Sequence, residues 1–313
     1  MPAMLSTLII VIPVFALIFA GWLARRLAVL GSNATTELNR FVVYLALPAL
    51  LFDIVAHARL SEIWQPGFIA VFALGCLAVF ALTILVSLKR PLHLADAVID
   101  GLNAGYANVG FIGFPLVAVA IGRNALGPTL VATMITVCVL FGAAIVLIEI
   151  GLQTEQRPAR MVLKVVRSLG RNPLLVAPMA GAVVPIAGLA IPSAAETFLK
   201  LLGGAASPCA LVALGLFLAE QRDTKPDAAP ACLLVGFKLV LQPALTWVLA
   251  SFVFELPAAL SHTAVLLAAL PTGTGAFMLA EYYRREAGMT SKVILASTVL
   301  SLLSVSGYLY VTH

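Results

Sequence analysis

The chain alternates between long apolar stretches and short polar interruptions from one end to the other. A bilayer core about 30 Å thick needs about 20 apolar residues per helix, so charges and Pro/Gly clusters divide the chain into ten predicted spans. Barrel strands would instead be about 10 residues long with alternating polarity, which these stretches do not show. The predicted fold is an all-α polytopic membrane protein with spans at approximately 4–24, 38–57, 66–88, 97–121, 125–149, 172–190, 195–219, 230–254, 259–283 and 291–311.

Composition narrows the class of protein further. Of the 313 residues, 62% are hydrophobic and 11% charged, whereas a soluble domain carries about 25% charged residues. This excludes soluble enzymes and nucleic-acid binders. The sequence has no HExxH or GxSxG motif and no paired intramembrane carboxylates, so an enzyme is not expected. Four scattered histidines and four cysteines in apolar runs predict no metal site and no cofactor.

The basic residues indicate the orientation in the membrane, because short cytoplasmic loops hold an excess of Lys and Arg. With both termini outside, fifteen of the nineteen Lys and Arg residues fall on the cytoplasmic side. Only Arg59, Arg123 and Lys200 fall outside, and Lys238 lies within a span. The cytoplasmic set is Arg25, Arg26, Arg40, Lys89, Arg90, Arg157, Arg160, Lys164, Arg167, Arg171, Arg222, Lys225, Arg284, Arg285 and Lys292.

Matching positions in the two halves predict an internal repeat. Pro13 and Gly21 match Pro173 and Gly181 at one common offset, and Pro48 matches Pro208 at the same offset. We expect a first five-helix repeat at 1–149, a basic cytoplasmic linker at 150–171 and a second repeat at 172–313. Because five is odd, the second repeat is inverted, which is typical of secondary transporters with a midplane substrate site.

The fourth and ninth spans carry residues that disfavour a continuous helix. The fourth reads GLNAGYANVGFIGFPLVAVAIG at 101–122, and the ninth contains LPTGTGAF at 270–277. Backbone freed at membrane depth must line a cavity or be buried in protein. A half-helix starting there presents a partial charge of about +0.5, which suits an anion. We expect two such starts, near 108–110 and 272–275, to converge. The alternative is that the glycines only permit close helix packing.

The candidate residues follow from these breaks and from isolated charges within spans. Lys238 would snorkel to the cytoplasmic face, hold an anionic substrate or pair with a carboxylate. Asp53, towards the outer end of the second span, is an interfacial residue, a gate or a proton-coupling group. Pro115 and Pro271 are the helix-break candidates. The predicted substrate-binding residues are Asn103, Asn108, Gly110, Gly113, Pro271, Thr272, Gly273, Thr274 and Lys238.

Six ordered blocks resemble the auxin efflux carrier family, which includes the plant PIN carriers and bacterial malonate or other organic-acid permeases. The resemblance extends over essentially the whole chain and is specific at the level of the family, not of the substrate. The blocks are RFVVYLALPALLFDI, GLNAGYANVGFIGFPL, RNPLLVAPMAG, SPCALVALGLFLA, FKLVLQPAL and LPTGTGAFMLAEYY.

This resemblance implies the bile-acid/sodium symporter-like fold, in which a transport part containing crossed helices four and nine moves like an elevator against a scaffold. It also implies a homodimer formed through the scaffold helices. The plant Leu-Pro-Asn-Thr crossover is similar to Tyr106-Ala107-Asn108-Val109, so Asn108 inherits the substrate-carboxylate role, although Ala107 departs from the proline. The plant Leu-Pro-Gln-Gly is similar to Leu270-Pro271-Thr272-Gly273.

The predicted function is secondary active transport of a small organic anion, either a malonate-like dicarboxylate or an auxin-like carboxylate. The short linker resembles that of bacterial members, which favours organic acids over auxin and an inner-membrane location. The main alternative is a sodium-coupled symporter of the bile-acid type, followed by a channel, which needs a continuous polar pore. Coupling to H+ or to Na+, uniport, and the direction of transport stay open.

Overall fold

The computed structural model describes residues 2–57, 64–152, 170–171, 173–220 and 228–312 together with Arg167, with residues 2–11 described by their backbone alone. Every regular element in this part of the chain is helical. Most of the basic linker predicted at 150–171 lies outside the described residues. Arg222 and Lys225, which were predicted to be cytoplasmic, also lie outside them.

The helices follow the predicted spans closely. Six of them are long and apolar enough to cross a membrane by length and composition: α2 (Ala34–His57), α3 (Pro66–Ser87), α6 (Arg123–Leu152), α8 (Ser193–Ala219), α9 (Ala228–Val253) and α12 (Ala287–Thr312). The others are α1 (Pro2–Arg26), α4 (Leu94–Gly105), α5 (Val109–Ala120), α7 (Pro173–Ile186), α10 (Ala258–Ala268) and α11 (Thr274–Tyr283).

Four helices form a group that we call the panel, made of α1, α2, α7 and α8. α1 packs along α8, and α2 packs against both α7 and α8. Glycines permit the first contact, because a Cβ on Gly21 would overlap the Val212 carbonyl and a Cβ on Gly215 would overlap the Ile18 carbonyl. Small residues of this kind let helix backbones approach closely in membranes, where apolar burial gives little drive for helix association.

The remaining helices form a second group, the core, made of α3–α6 and α9–α12. α3 packs along α4 and also contacts α6, α9 and α10, while α12 contacts α9 and α11. Panel and core meet where α5 contacts α1 and α8, and where α12 contacts α1. Predicted spans four and nine are both interrupted within the core. Span four breaks between α4 and α5, and span nine breaks between α10 and α11.

Local π-helical turns interrupt several helices around these breaks. They occupy Val42–Ala46 in α2, Val109–Gly113 at the start of α5, Ile135–Leu140 in α6, and Phe237–Leu241 and Leu249–Val253 in α9. A π turn inserts a wider ring into the backbone and is frequent at functional sites. Here the turns in α2, α5 and α6 contribute to one cavity, and the first turn in α9 contains Lys238.

Candidate functional site

The two helix breaks pair with each other through their backbones. The Asn108 N–H donates to the Pro271 carbonyl at 2.9 Å, and the Gly273 N–H donates to the Tyr106 carbonyl at 2.9 Å. Between them, Ala107 and Thr272 form an antiparallel bridge. Buried backbone groups need partners, and each break supplies them to the other. We call this pairing the crossover.

Side chains from α4 and α12 hold the crossover in place. The Thr272 hydroxyl donates to the Asn103 carbonyl at 2.6 Å, and the Thr272 N–H donates to Ser297 Oγ at 3.1 Å. Asn103 Nδ2 donates to Thr290 Oγ1 at 3.1 Å. All four side chains are fully or almost fully buried. The structure therefore gives Asn103 and Thr272, both predicted to bind substrate, contacts that shape the crossover.

Glycines avoid an overlap with the Tyr106 side chain where the second break passes the first. A Cβ on Gly273 would lie 2.6 Å from Tyr106 Cε1, and one on Gly275 would lie 2.7 Å from the Tyr106 hydroxyl oxygen. Gly113 faces Leu267 and Leu270 instead. Pro271 and Gly273 thus lie in the crossover and Gly113 in the π turn of α5, and none of the three lines the cavity described next.

A cavity of about 150 Å³ lies directly beside the crossover. The first turns of both α5 and α11 reach it, through Gly110 and Phe111 on one side and Thr274 and Gly275 on the other. The predicted convergence of two half-helix starts is confirmed, with α5 beginning at Val109 and α11 at Thr274. The remaining walls are Asn39, Val43, Leu47, Tyr106, Ala107, Asn108, Thr133, Thr136, Val137, Phe141, Leu174 and Met278.

The positive character of this cavity comes from the backbone. None of its lining residues is charged, but first-turn N–H groups of an α-helix have no intrahelical acceptor and carry about half an elementary charge. Asn108 adds an amide that is 3% exposed and whose Nδ2 has no hydrogen-bond partner. An unsatisfied buried donor is costly, so a ligand that offers an oxygen acceptor suits this position.

A second, larger cavity continues from the first. It has a volume of about 370 Å³ and shares Asn39, Val43, Phe111, Thr274 and Met278 with the crossover cavity. It extends to Arg40 and Glu220. The sequence analysis predicts Arg40 to be cytoplasmic, so this cavity is a candidate inner vestibule.

Asp53 lies in a separate cavity of about 580 Å³, away from the crossover. His57 Nδ1 approaches Asp53 Oδ1 at 3.2 Å and His57 Nε2 approaches Glu196 Oε1 at 3.9 Å. Lys200 pairs with the same glutamate, and Arg123 lines the cavity from the core. The structure therefore associates Asp53 with a charged vestibule between panel and core.

Two predicted residues lie elsewhere than the sequence suggested. Lys238 is fully buried and lines none of the cavities above, because its Nζ donates to Gln242 Oε1 and to the Ala268 carbonyl at 2.7 Å. Pro115 lies within α5, just after its π turn, whereas the break in span four occurs earlier, at 106–108. Pro271 does lie in its break.

An ion pair ties the two broken spans together at their polar end. Arg285, in the loop after α11, donates to both carboxylate oxygens of Asp96 in the first turn of α4, at 2.6 and 2.7 Å. Hydrogen bonding to Asp96 raises the pKa of Arg285 above its usual value. A bidentate pair of this kind is geometrically specific. No sequence signal marks this contact, because the two residues are 189 positions apart.

Within the described part of the chain, no three His, Cys, Asp or Glu residues are grouped so that they could hold a metal ion. Broken apolar helices enclosing an uncharged cavity, between two packed helix groups, are features of multi-pass membrane transporters. The comparison with known families agrees. The family model described as "Membrane transport protein" matches residues 6–309, and the chain belongs to this family, the auxin efflux carrier family.

Several relatives match the chain along most of its length. It is 33% identical to a Rhizobium meliloti protein named "Putative malonate transporter", over 96% of this chain and 94% of that protein. It is 28% identical to an uncharacterized transporter of Methanothermobacter thermautotrophicus, over 94% of each. It is 25% identical to the uncharacterized transporter YfdV of Escherichia coli K12, over 87% of each. The protein is therefore a membrane transporter.

Proposed function

We propose that this protein is a secondary active transporter that moves a small organic anion, with a malonate-like dicarboxylate as the preferred class. One observation carries the proposal: two half-helix N-termini and the unpaired Asn108 amide meet at one uncharged cavity. Helix N-termini bind carboxylates through N–H groups and the helix dipole, and half-helix N-termini take this role in transporters with broken helices.

The size of the cavity favours a compact substrate. An apolar cavity of about 150 Å³ can hold a benzene-sized molecule, and the crossover cavity has about this volume. A short dicarboxylate is comparable in size, whereas an indole carboxylate is considerably larger. The name of the Rhizobium meliloti relative also supports malonate.

The transport mechanism in this proposal is elevator-type alternating access. The crossover cavity takes walls from α2 and α7 of the panel and from α5, α6 and α11 of the core, so sliding of the core against the panel would carry a bound anion. The cavity that extends to Arg40 and the cavity that contains Asp53 supply the two exits for the substrate. The proposal includes ten spans in two inverted repeats at 1–149 and 172–313, both termini outside, the bacterial inner membrane and a homodimer formed through the panel.

The test is charge movement by purified protein in proteoliposomes on solid-supported membranes, with malonate, succinate, monocarboxylates and indole-3-acetate as substrates. A saturable current with malonate is expected. Asn108→Ala removes a hydrogen bond to a charged group, worth about 1.5–3 kcal/mol, so the half-saturating concentration should rise about 10- to 100-fold.

Asn33→Ala is the matched control, because Asn33 is exposed before α2 and makes no capping hydrogen bond. It should transport like the unmodified protein. An Asn108→Ala variant with unchanged half-saturation would refute the site. Electroneutral exchange produces no current, so counterflow of labelled malonate is measured as well. If the protein shows neither a current nor counterflow with malonate, the proposed substrate class is refuted.

A further inference from the structure

The proposed function assigns no role to Lys238, although this residue makes two buried hydrogen bonds. Its ammonium group is fully buried in the π turn of α9. It donates to the Ala268 carbonyl at 2.7 Å and to Gln242 Oε1 on the next turn. No carboxylate in the described part of the chain forms an ion pair with it. A buried ammonium held only by neutral oxygens is costly, so its position calls for a physical reason.

Gln242 extends the same contact to the other broken span. An ammonium group can only donate, so Gln242 must present its oxygen to Lys238 and point its Nε2 the other way. That Nε2 donates to the Gly105 carbonyl at 2.9 Å and approaches Cys76 Sγ at 3.2 Å. Lys238 and Gln242 therefore act as one unit that contacts both broken spans.

The two carbonyls are located at the ends of half-helices. Gly105 is the last residue of α4 and Ala268 is the last residue of α10. The last carbonyls of a helix lack intrahelical donors and carry a partial negative charge of about half an elementary charge. In transporters with broken helices, half-helix C-termini and unwound carbonyls are where coupling cations bind. This chain has an ammonium group in that environment.

We propose that Lys238 is a tethered cation that takes the place of a coupling metal ion at the crossover, so that transport does not require Na+. This inference rests on the proposed function. A sodium ion on the Ala268 carbonyl would compete with Lys238 Nζ for the same lone pairs and would be repelled by its charge at short range. Lys238 acts as a positioning residue, because it holds the half-helix ends and does not line the substrate cavity.

The experiment measures the melting temperature of the purified full-length protein in lipid nanodiscs, in sodium chloride and in choline chloride at equal ionic strength. The unmodified protein should melt at the same temperature in both salts. Lys238→Ala should melt at least about 5 °C lower in choline, and sodium should restore at least half of the loss in a saturable manner, because the vacated space and carbonyls can accept the ion.

Two variants serve as controls. Lys238→Met fills the space without a charge, so it should lose stability in both salts and show no response to sodium. Lys89→Ala removes an exposed lysine in the loop after α3, and it should melt like the unmodified protein in both salts.

The proposal is overturned if sodium saturably stabilises the unmodified protein, if Lys238→Ala does not respond to sodium, or if Lys238→Met responds equally. The proposal is also contradicted if sodium chloride raises the melting temperature of Lys238→Met but not that of Lys238→Ala. If neither variant folds, the sodium titration of the unmodified protein decides. Melting needs no substrate, so a failure to transport malonate would refute the proposed function and leave this test intact.

Discussion

The crossover has two contrasting faces, each of which receives the termini of two half-helices: the cavity face borders the crossover cavity, and the Lys238 face borders Lys238 and Gln242. α5 and α11 begin at the cavity, whereas α4 and α10 end beside Lys238 and Gln242. Backbone N–H groups therefore dominate one face and carbonyls the other. The carbonyl face is closed by a buried ammonium group, while the cavity face contains no charged side chain.

One backbone arrangement therefore presents two different chemical environments. On the Lys238 face the protein neutralises the negative helix ends with its own side chain. On the cavity face the positive helix ends and the Asn108 amide keep capacity for an external acceptor. Under the two proposals above, the crossover binds an anion on one face and supplies its own cation on the other.

The largest expected effect comes from placing a negative charge on the cavity face. Thr274→Asp puts a carboxylate in the first turn of α11, beside the proposed anion. Like charges at this range cost several kcal/mol, so malonate affinity should fall about 100-fold or more. The same carboxylate should stabilise the helix by about 0.3–1 kcal/mol. Calorimetric titration and thermal unfolding measure the two effects.

Thr274→Ser is the control, because it keeps the hydroxyl and adds no charge, and it should bind malonate nearly normally. Unchanged malonate affinity in Thr274→Asp would contradict the assignment of the cavity face to anions. A melting temperature of Thr274→Asp well below that of Thr274→Ser would contradict the expected stabilisation of the α11 N-terminus by a carboxylate.

An intermediate effect is expected from separating the two breaks. Gly273→Ala would place a Cβ against the Tyr106 ring, and overpacking of this kind costs about 1–3 kcal/mol. The melting temperature should fall, and Tyr106→Ala in the same chain should recover part of the loss, which a double-mutant cycle measures.

Gly307→Ala is the comparison, since a Cβ there meets nothing within 4 Å and alanine favours the helix by up to about 1 kcal/mol. Additive losses in the Gly273→Ala and Tyr106→Ala double variant would show that the two residues do not constrain each other.

The smallest expected effect concerns the support of the second break. Ser297→Ala leaves the buried Thr272 N–H without its acceptor and should lower the free energy of unfolding by about 1 kcal/mol. Ser301→Ala is matched, because Ser301 is equally buried but donates only to Thr298 within its own helix. Equal unfolding energies for the two variants would contradict the assigned role of Ser297.

The sequence predicted the helix breaks well because their signal is local. Gly, Pro and amide residues in an apolar span are sufficient to indicate that a helix ends, and α5 and α11 begin within the predicted windows. Pro115 was assigned to a break on composition alone. The structure places it within α5, just after the π turn at Val109–Gly113, where the regular hydrogen-bond pattern is already interrupted and a residue without an N–H group is tolerated.

The contacts made by Lys238 and Ser297 could not be predicted, because they depend on which helices meet. Lys238 contacts the end of α10 and Ser297 the second break, and neither partner is near in sequence. Gln242 was missed although a signal existed. A lysine and a glutamine one turn apart in an apolar helix lie on the same face, and such a polar pair indicates a shared buried partner.

The bonds that hold the broken spans together have a consequence for biosynthesis. Asn103 bonds to a residue 187 positions later, and Asp96 to one 189 positions later. Chains emerge from the ribosome in order, so α4 enters the bilayer long before these partners exist. Assembly of the core must wait for the last helices, and truncation before α12 would leave Asn103 in lipid without its Thr290 partner.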